Sequence, residues 1–185
     1  MQFMPEYTDN ELIKLFHTAD RKHFAFNLLV RKYQEKVYYF IRRMVIDHDD
    51  TDDVAQNVFI KVWNNLDSFR EDSKFFTWLY RIAVNESLSF LKSKRLHSFL
   101  SLSSPEASMI KSLNTESYFD GEEIQKKLQI AILGLPKKQQ LVFNMRYYED
   151  LSYEEMSEIL GTSVGALKAS YHFAVKKIED SVTAN

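Results

Sequence analysis

Apolar residues along the chain recur at intervals of three and four, the spacing that lines one face of an α-helix, and polar residues between them mark where each helix starts and stops. Thr8 and Glu11 have the spacing of a capping box, and Leu12, Leu15 and Phe16 follow at helical intervals, which predicts a short amphipathic helix. Phe24, Leu28, Tyr33, Val37, Phe40, Ile41 and Met44 continue the rhythm through a stretch that also carries Arg31, Lys32, Arg42 and Arg43. A longer helix with a wet basic side is expected there. After the acidic stretch Asp47 to Asp53, the segment 54–66 places Ala55, Val58, Phe59, Val62 and Leu66 on one face. Asp53, Gln56, Asn57, Ile60, Lys61 and Asn64 fall on the other. The pattern lapses into a polar loop over 64–73 and resumes over 75–94 with Trp78, Leu79, Ile82, Ala83 and Leu91.

Between His97 and Gly121 the composition turns Ser-rich around Pro105 and the periodicity fades, as expected of a flexible linker. Four helical segments follow, over 122–133, 137–148, 153–160 and 164–180. Pro136 stands at a helix start, where its missing N–H costs nothing, and Ser152 with Glu155 forms a second capping box. Gly161 ends one helix and Ser163 caps the next. The expected fold class is therefore all-α. It comprises an N-terminal helical bundle over 1–96, a linker over 97–121 and a C-terminal four-helix domain over 122–185.

Composition agrees with helices, since four Gly and three Pro residues leave little turn chemistry for a β-protein. The absence of Cys excludes a disulfide framework and a thiolate metal site, and it suits a reducing, cytoplasmic location. Residues 1–10 lack the basic segment and apolar core of a signal peptide, and no apolar run is long enough to span a bilayer. His17, His23, His48, His97 and His172 are scattered without a metal-ligand spacing, and neither a phosphate loop nor a nucleophile elbow appears. No enzymatic activity, cofactor or metal is expected. Charge sets a further limit. Residues 1–100 carry 15 Lys and Arg against 14 Asp and Glu, the remainder carries 9 against 12, and the formal net charge is −2. Any nucleic-acid contact must then be local, or depend on a partner for affinity.

The sharpest local signal runs from Ser152 to Lys177, where a capped helix, a Gly-containing turn and a longer helix form a helix-turn-helix pattern. Met156, Ile159 and Leu160 are expected to pack against Val164, Leu167 and Tyr171, leaving Lys168, Ser170, His172 and Lys176 to meet DNA. The helix start at Ser163 offers N–H groups suited to phosphate. Three blocks then coincide: DDVAQNVFIKVW over 52–63, FFTWLYRIAVNESLSFLKSKR over 75–95, and GLPKKQQLVFNMRYYEDLSYEEMSEILGTSVGALKASYHFAVKKI over 134–178. In this order and at this spacing they resemble the extracytoplasmic-function (ECF) group of the sigma factor family, over nearly the whole chain outside the linker and the extreme termini.

That resemblance implies a transcription initiation factor that carries core RNA polymerase to −35 and −10 promoter elements and helps melt them. It implies binding to the clamp helices of the polymerase's largest subunit through Asp52, Asp53, Gln56 and Asn57, and to the flap of the second-largest subunit. Recognition of the −10 element, as duplex and single strand, falls by analogy to Asn64, Phe69, Arg70, Arg81, Asn85, Ser89, Lys92 and Arg95. Phe75, Phe76, Trp78 and Tyr80 are in the same segment, but a helical aromatic stripe is more often packing than stacking, and Trp78 and at least one Phe are expected in the core. The −35 element falls to Ser163, Gly165, Lys168, Ala169, Ser170, His172, Phe173 and Lys176. Several positions that are basic in the family are neutral here, which should flatten the salt dependence of that contact. The resemblance also implies an anti-sigma factor at the membrane, with no insertion of this chain itself. The competing reading is a stand-alone helix-turn-helix regulator binding an operator as a dimer, which would need a dimer interface and a ligand pocket that the sequence does not display.

Overall fold

A computed structural model of the chain describes residues 7–100 and 123–183. The described residues form helices and no strands. The N-terminal group holds α1 (Asp9–Phe16), α2 (Lys22–Val45), α3 (His48–Asn65) and α4 (Phe75–Leu100), with short 3-10 turns at Ala19–Arg21 and Leu66–Ser68. The C-terminal group holds α5 (Glu123–Leu133), α6 (Lys137–Tyr147), α7 (Tyr153–Leu160) and α8 (Val164–Thr183). The connector expected over 97–121 lies outside the described residues from 101 onward.

Local chemistry explains the boundaries. Both capping boxes form: Thr8 Oγ1 accepts from the Glu11 N–H at 3.3 Å, and Ser152 Oγ from that of Glu155 at 3.1 Å. Each such cap contributes about 1 kcal/mol. Glu155 accepts in return from the backbone N–H and the hydroxyl of Ser152, and these bonds hold its carboxyl below the ordinary glutamate range. A depressed carboxyl stabilises the helix above its unfolded pKa and loses that contribution as pH falls through the folded one. Gly161 ends α7 at φ 62, a left-handed conformation in which a β-carbon would be strained although nothing crowds it. Between α2 and α3 the buried Ile46 adopts φ 73, where a β-branched residue is strained and is held by the packing around it.

The core is built around α2, which packs against α1, α3 and α4 through Leu29, Val37, Phe40 and Ile41. Aromatic rings join the layers: Phe40 lies 5.3 Å from Tyr80, and Phe16 lies 5.4 Å from Trp63. The C-terminal group has its own smaller cluster in Ile132, Leu135, Phe143, Ala174 and Ile178. Leu141, Val142, Met145, Leu151, Met156, Ile159 and Leu167 join the larger core, so the two helical groups pack against each other. Among the described residues no helix is long and apolar enough to cross a membrane.

Several elements depart from expectation. The acidic stretch before residue 54, where the apolar rhythm had not yet begun, already forms the first turns of α3, capped by Asp47, whose carboxylate accepts from the Asp50 N–H at 3.1 Å. Acidic side chains at a helix start complement its dipole. Helix α4 runs to Leu100, past the end expected at 94, because no Gly or Pro interrupts it although its apolar rhythm fades. Arg42, expected on the wet side of α2, is only 1% exposed. Helix α6 packs against α2 from across the chain, a contact that periodicity within α2 cannot reveal. Phe24, by contrast, remains largely exposed near the start of α2, where its ring meets Tyr7 edge-on.

Candidate nucleic-acid and partner interfaces

Helix α3 buries Val54, Val58 and Val62 against the core, and this fixes which side faces outward. Asp52, Asp53, Gln56 and Asn57 are all exposed on the outward side, so the four residues expected to meet a partner are available together. The start of α3 is braced twice. Lys94 of α4 forms an ion pair with Asp50, and Thr51 Oγ1 donates to the Asp47 carbonyl at 2.6 Å. Tyr38 of α2 meets His48 Nδ1 at 2.7 Å, and His48 Nε2 lies 3.7 Å from Asp52. A shallow groove between α2 and α3, lined by Gln34, Glu35, Tyr38, Gln56 and Phe59, continues this surface. Ile60, at 50% exposure, stands on the same outward side. Helical spacing alone puts it there. Its signal was an aliphatic residue one turn beyond Gln56 on an otherwise polar face, the composition of an interface core with a polar rim.

The loop after α3 is held where it leaves the helix. Leu66 is fully buried, Lys22 Nζ pairs with Asp67 at 2.6 Å, and Ser68 Oγ donates to the Asn65 carbonyl at 2.8 Å. Phe69 packs 5.1 Å from Trp78 and 6.1 Å from Phe75, which makes it the loop's anchor. Asn64 and Arg70 are exposed on either side of this anchor. The aromatic stripe of α4 is chiefly packing: Phe75 and Tyr80 are buried, and Phe76 and Trp78 are half-buried. Burial, with the Glu149 carboxylate close by, pushes the Tyr80 phenol well above its ordinary range.

Along α4, Arg81, Asn85, Ser89, Lys92 and Arg95 form an exposed strip. At its N-terminal end Arg81 Nη2 donates to the Glu158 carbonyl of α7 at 2.6 Å. Asn85 lines a cleft whose other wall includes Thr162, Ala166 and Ser170.

In the helix-turn-helix unit, Met156, Ile159 and Leu167 are buried as expected, and Leu160, Val164 and Tyr171 are half-buried. Ser163 Oγ accepts from the Ala166 N–H at 3.3 Å and so caps α8. Gly165, Lys168, Ala169, His172, Phe173 and Lys176 are exposed, Phe173 at 54%. Lys168 Nζ lies 5.6 Å from the Tyr153 ring centre, a cation–π contact that holds it along the helix. Ser170 differs from the rest: it is half-buried and faces the cleft against α4. Among the described residues no group of three His, Cys, Asp or Glu side chains is placed to hold a metal.

Comparison with known proteins extends this picture. Residues 29–97 match Sigma-70 region 2, and residues 125–178 match Sigma-70, region 4. The ECF RNA polymerase sigma-E factor of Escherichia coli K12 is 35% identical over 96% of this chain and 95% of its own length. The RNA polymerase sigma-H factor of Pseudomonas aeruginosa is 30% identical over 94% of this chain and 93% of its own. Two solved structures share the fold. CnrH, in complex with the cytosolic domain of CnrY, superposes with a TM-score of 0.69 at 22% identity, covering 96% of this chain and 98% of its own. The sigma factor RpoE of Bartonella quintana, in complex with the anti-sigma factor NepR, gives 0.66 at 18% identity, covering 86% and 98%.

Proposed function

The chain belongs to the ECF group of the sigma-70 family and is an RNA polymerase sigma factor, and from that premise we propose which of its surfaces meet which partner. The outward side of α3, with Asp52, Asp53, Gln56 and Asn57, docks on the clamp helices of the largest polymerase subunit, and Ile60 supplies its apolar centre. The segment 64–73, from the end of α3 through the loop that follows, and the strip Arg81, Asn85, Ser89, Lys92 and Arg95 take the −10 element. Gly165, Lys168, Ala169, His172, Phe173 and Lys176 read the −35 element, with Ser163 at the helix start and Ser170 at its edge. The 122–185 module also meets the flap, the residues from 97 to 121 connect it to the 1–96 module, and the protein acts in the cytoplasm.

The observation that carries this reading is the coincidence on α3. Its buried valines lock the helix in one rotational setting, and that setting exposes all four residues at once. Acceptors and amides grouped in this way suit a basic helical partner. The charge balance supports the same division of labour. A net charge of −2 gives little drive for counterion release, but two weak DNA contacts joined through one large enzyme gain effective concentration. An anti-sigma partner is part of the proposal, supported by the two similar structures, each solved with such a bound protein or a cytosolic fragment.

Immobilised core polymerase should retain the purified chain through physiological salt. The chain alone should leave a short promoter duplex unshifted at submicromolar concentration. Passage through the polymerase column, or a duplex shift by the lone chain, would overturn the proposal.

A further inference from the structure

Asp47, Asp49, Asp50, Asp52 and Asp53 crowd the start of α3, and His48 stands among them as the first residue of the helix. Two of these acids are already engaged: Asp47 caps the helix through the Asp50 N–H, and the Asp50 carboxylate is held by Lys94 of α4. His48 reaches a third. Its Nε2 lies 3.7 Å from the Asp52 carboxylate, one helical turn further on, while its Nδ1 lies 2.7 Å from the Tyr38 hydroxyl of α2. The half-buried Tyr38 ring also meets the imidazole edge-on, with centres 6.1 Å apart. The His48 and Asp52 side chains are each 59% exposed, so both remain open to a partner. Tyr38 and Asp52 line the groove between α2 and α3, together with Glu35 and Gln56.

Chemistry sets the polarity of this bridge. A carboxylate only accepts, so the ring nitrogen facing Asp52 is the one that carries hydrogen, and in the neutral ring Nδ1 is then the acceptor for the Tyr38 hydroxyl. The imidazole thus links a phenol seated on α2 to a carboxylate on the outward side of α3. We propose that His48 is a positioning residue for polymerase docking: steadied by Tyr38, it keeps the Asp52 carboxylate beside the α2–α3 groove, where a cation of the clamp helices meets it. This rests on the assignment of Asp52 to that interface made above. An acid free to rotate loses rotamer freedom when it binds, and restricting it beforehand removes part of that cost. At 3.7 Å and in contact with water the hold is that of a surface pair, which corresponds to about threefold in affinity.

Titration of the labelled full-length chain with core polymerase, read by fluorescence anisotropy, gives the affinities. His48→Ala should weaken binding about threefold. Tyr38→Phe, which keeps the ring and removes the hydroxyl, should cause a smaller loss. His48→Gln, whose amide N–H can stand in for the Nε2–H, should recover most of the affinity. Asp52→Ala should weaken binding about tenfold, and adding His48→Ala to it should then change nothing, because the group that His48 positions is gone. A loss caused by a distorted helix start would persist in the Asp52→Ala background, so the double variant separates the two. Undiminished affinity in His48→Ala, no recovery in His48→Gln, or losses that multiply in the double variant would each overturn the positioning role. Unchanged affinity in Asp52→Ala would instead overturn the docking assignment on which it rests.

Discussion

Replacing Asp53 and Gln56 together by alanine is expected to weaken binding to core polymerase on the order of 100-fold, since hot-spot residues at an interface each contribute about 2 kcal/mol or more. The loss should appear with little change in stability. Both side chains are exposed, so the melting temperature should move by no more than a surface substitution allows. Glu154→Ala, an exposed acidic residue at the start of α7, is the matched control and should bind polymerase normally. Titration of labelled chain with core polymerase, followed by fluorescence anisotropy, separates these outcomes. Equal affinity for the double variant and the control would remove α3 from the interface.

The second large effect is on the fold. Phe40 is 1% exposed in the C-terminal half of α2, with its ring 5.3 Å from that of Tyr80. Phe40→Ala should cost about 3–5 kcal/mol through lost burial and the cavity left behind. That is a large share of the roughly 5–15 kcal/mol that holds a typical domain folded. For a chain of this length the melting temperature should fall by on the order of 10 °C in a calorimetric scan. Phe40 also supports Tyr80, whose hydroxyl reaches Glu149, so the same change should loosen the contact between the two helical groups. A fall of less than about 2 °C would show that α2 is not the centre of the core.

Most of the architecture was legible in local chemistry. The two capping boxes, Pro136 at the start of α6 and Gly161 at the end of α7 were each predicted from short-range rules, and each depends only on neighbours within a turn or two. What escaped were features set by distant parts of the chain. Arg42 looks solvated when α2 is read as an isolated amphipathic helix, yet it is buried in the folded chain. Phe69, the candidate for base contact in the polar loop, also packs on Trp78 and Phe75, which the loop's own residues do not reveal. The candidate site was legible in a similar way. The outward side of α3 followed directly from the spacing of its valines. The covering of Arg81 and Asn85 did not follow, because it arises from the packing of α7 and α8 against α4. Glu149 carries no sequence signal at all beyond its position in a turn, yet Arg43 of α2 and Tyr80 of α4 both reach it.

The central claim is that this chain directs core polymerase to promoters, and the most direct measurement is transcription in vitro on genomic DNA with core polymerase, followed by sequencing of transcript 5′ ends. The expected result is a set of start sites that appear only when the chain is added and that share two short sequence blocks upstream, one for each DNA-facing module. Transcripts indistinguishable from those made by core polymerase alone would contradict the account.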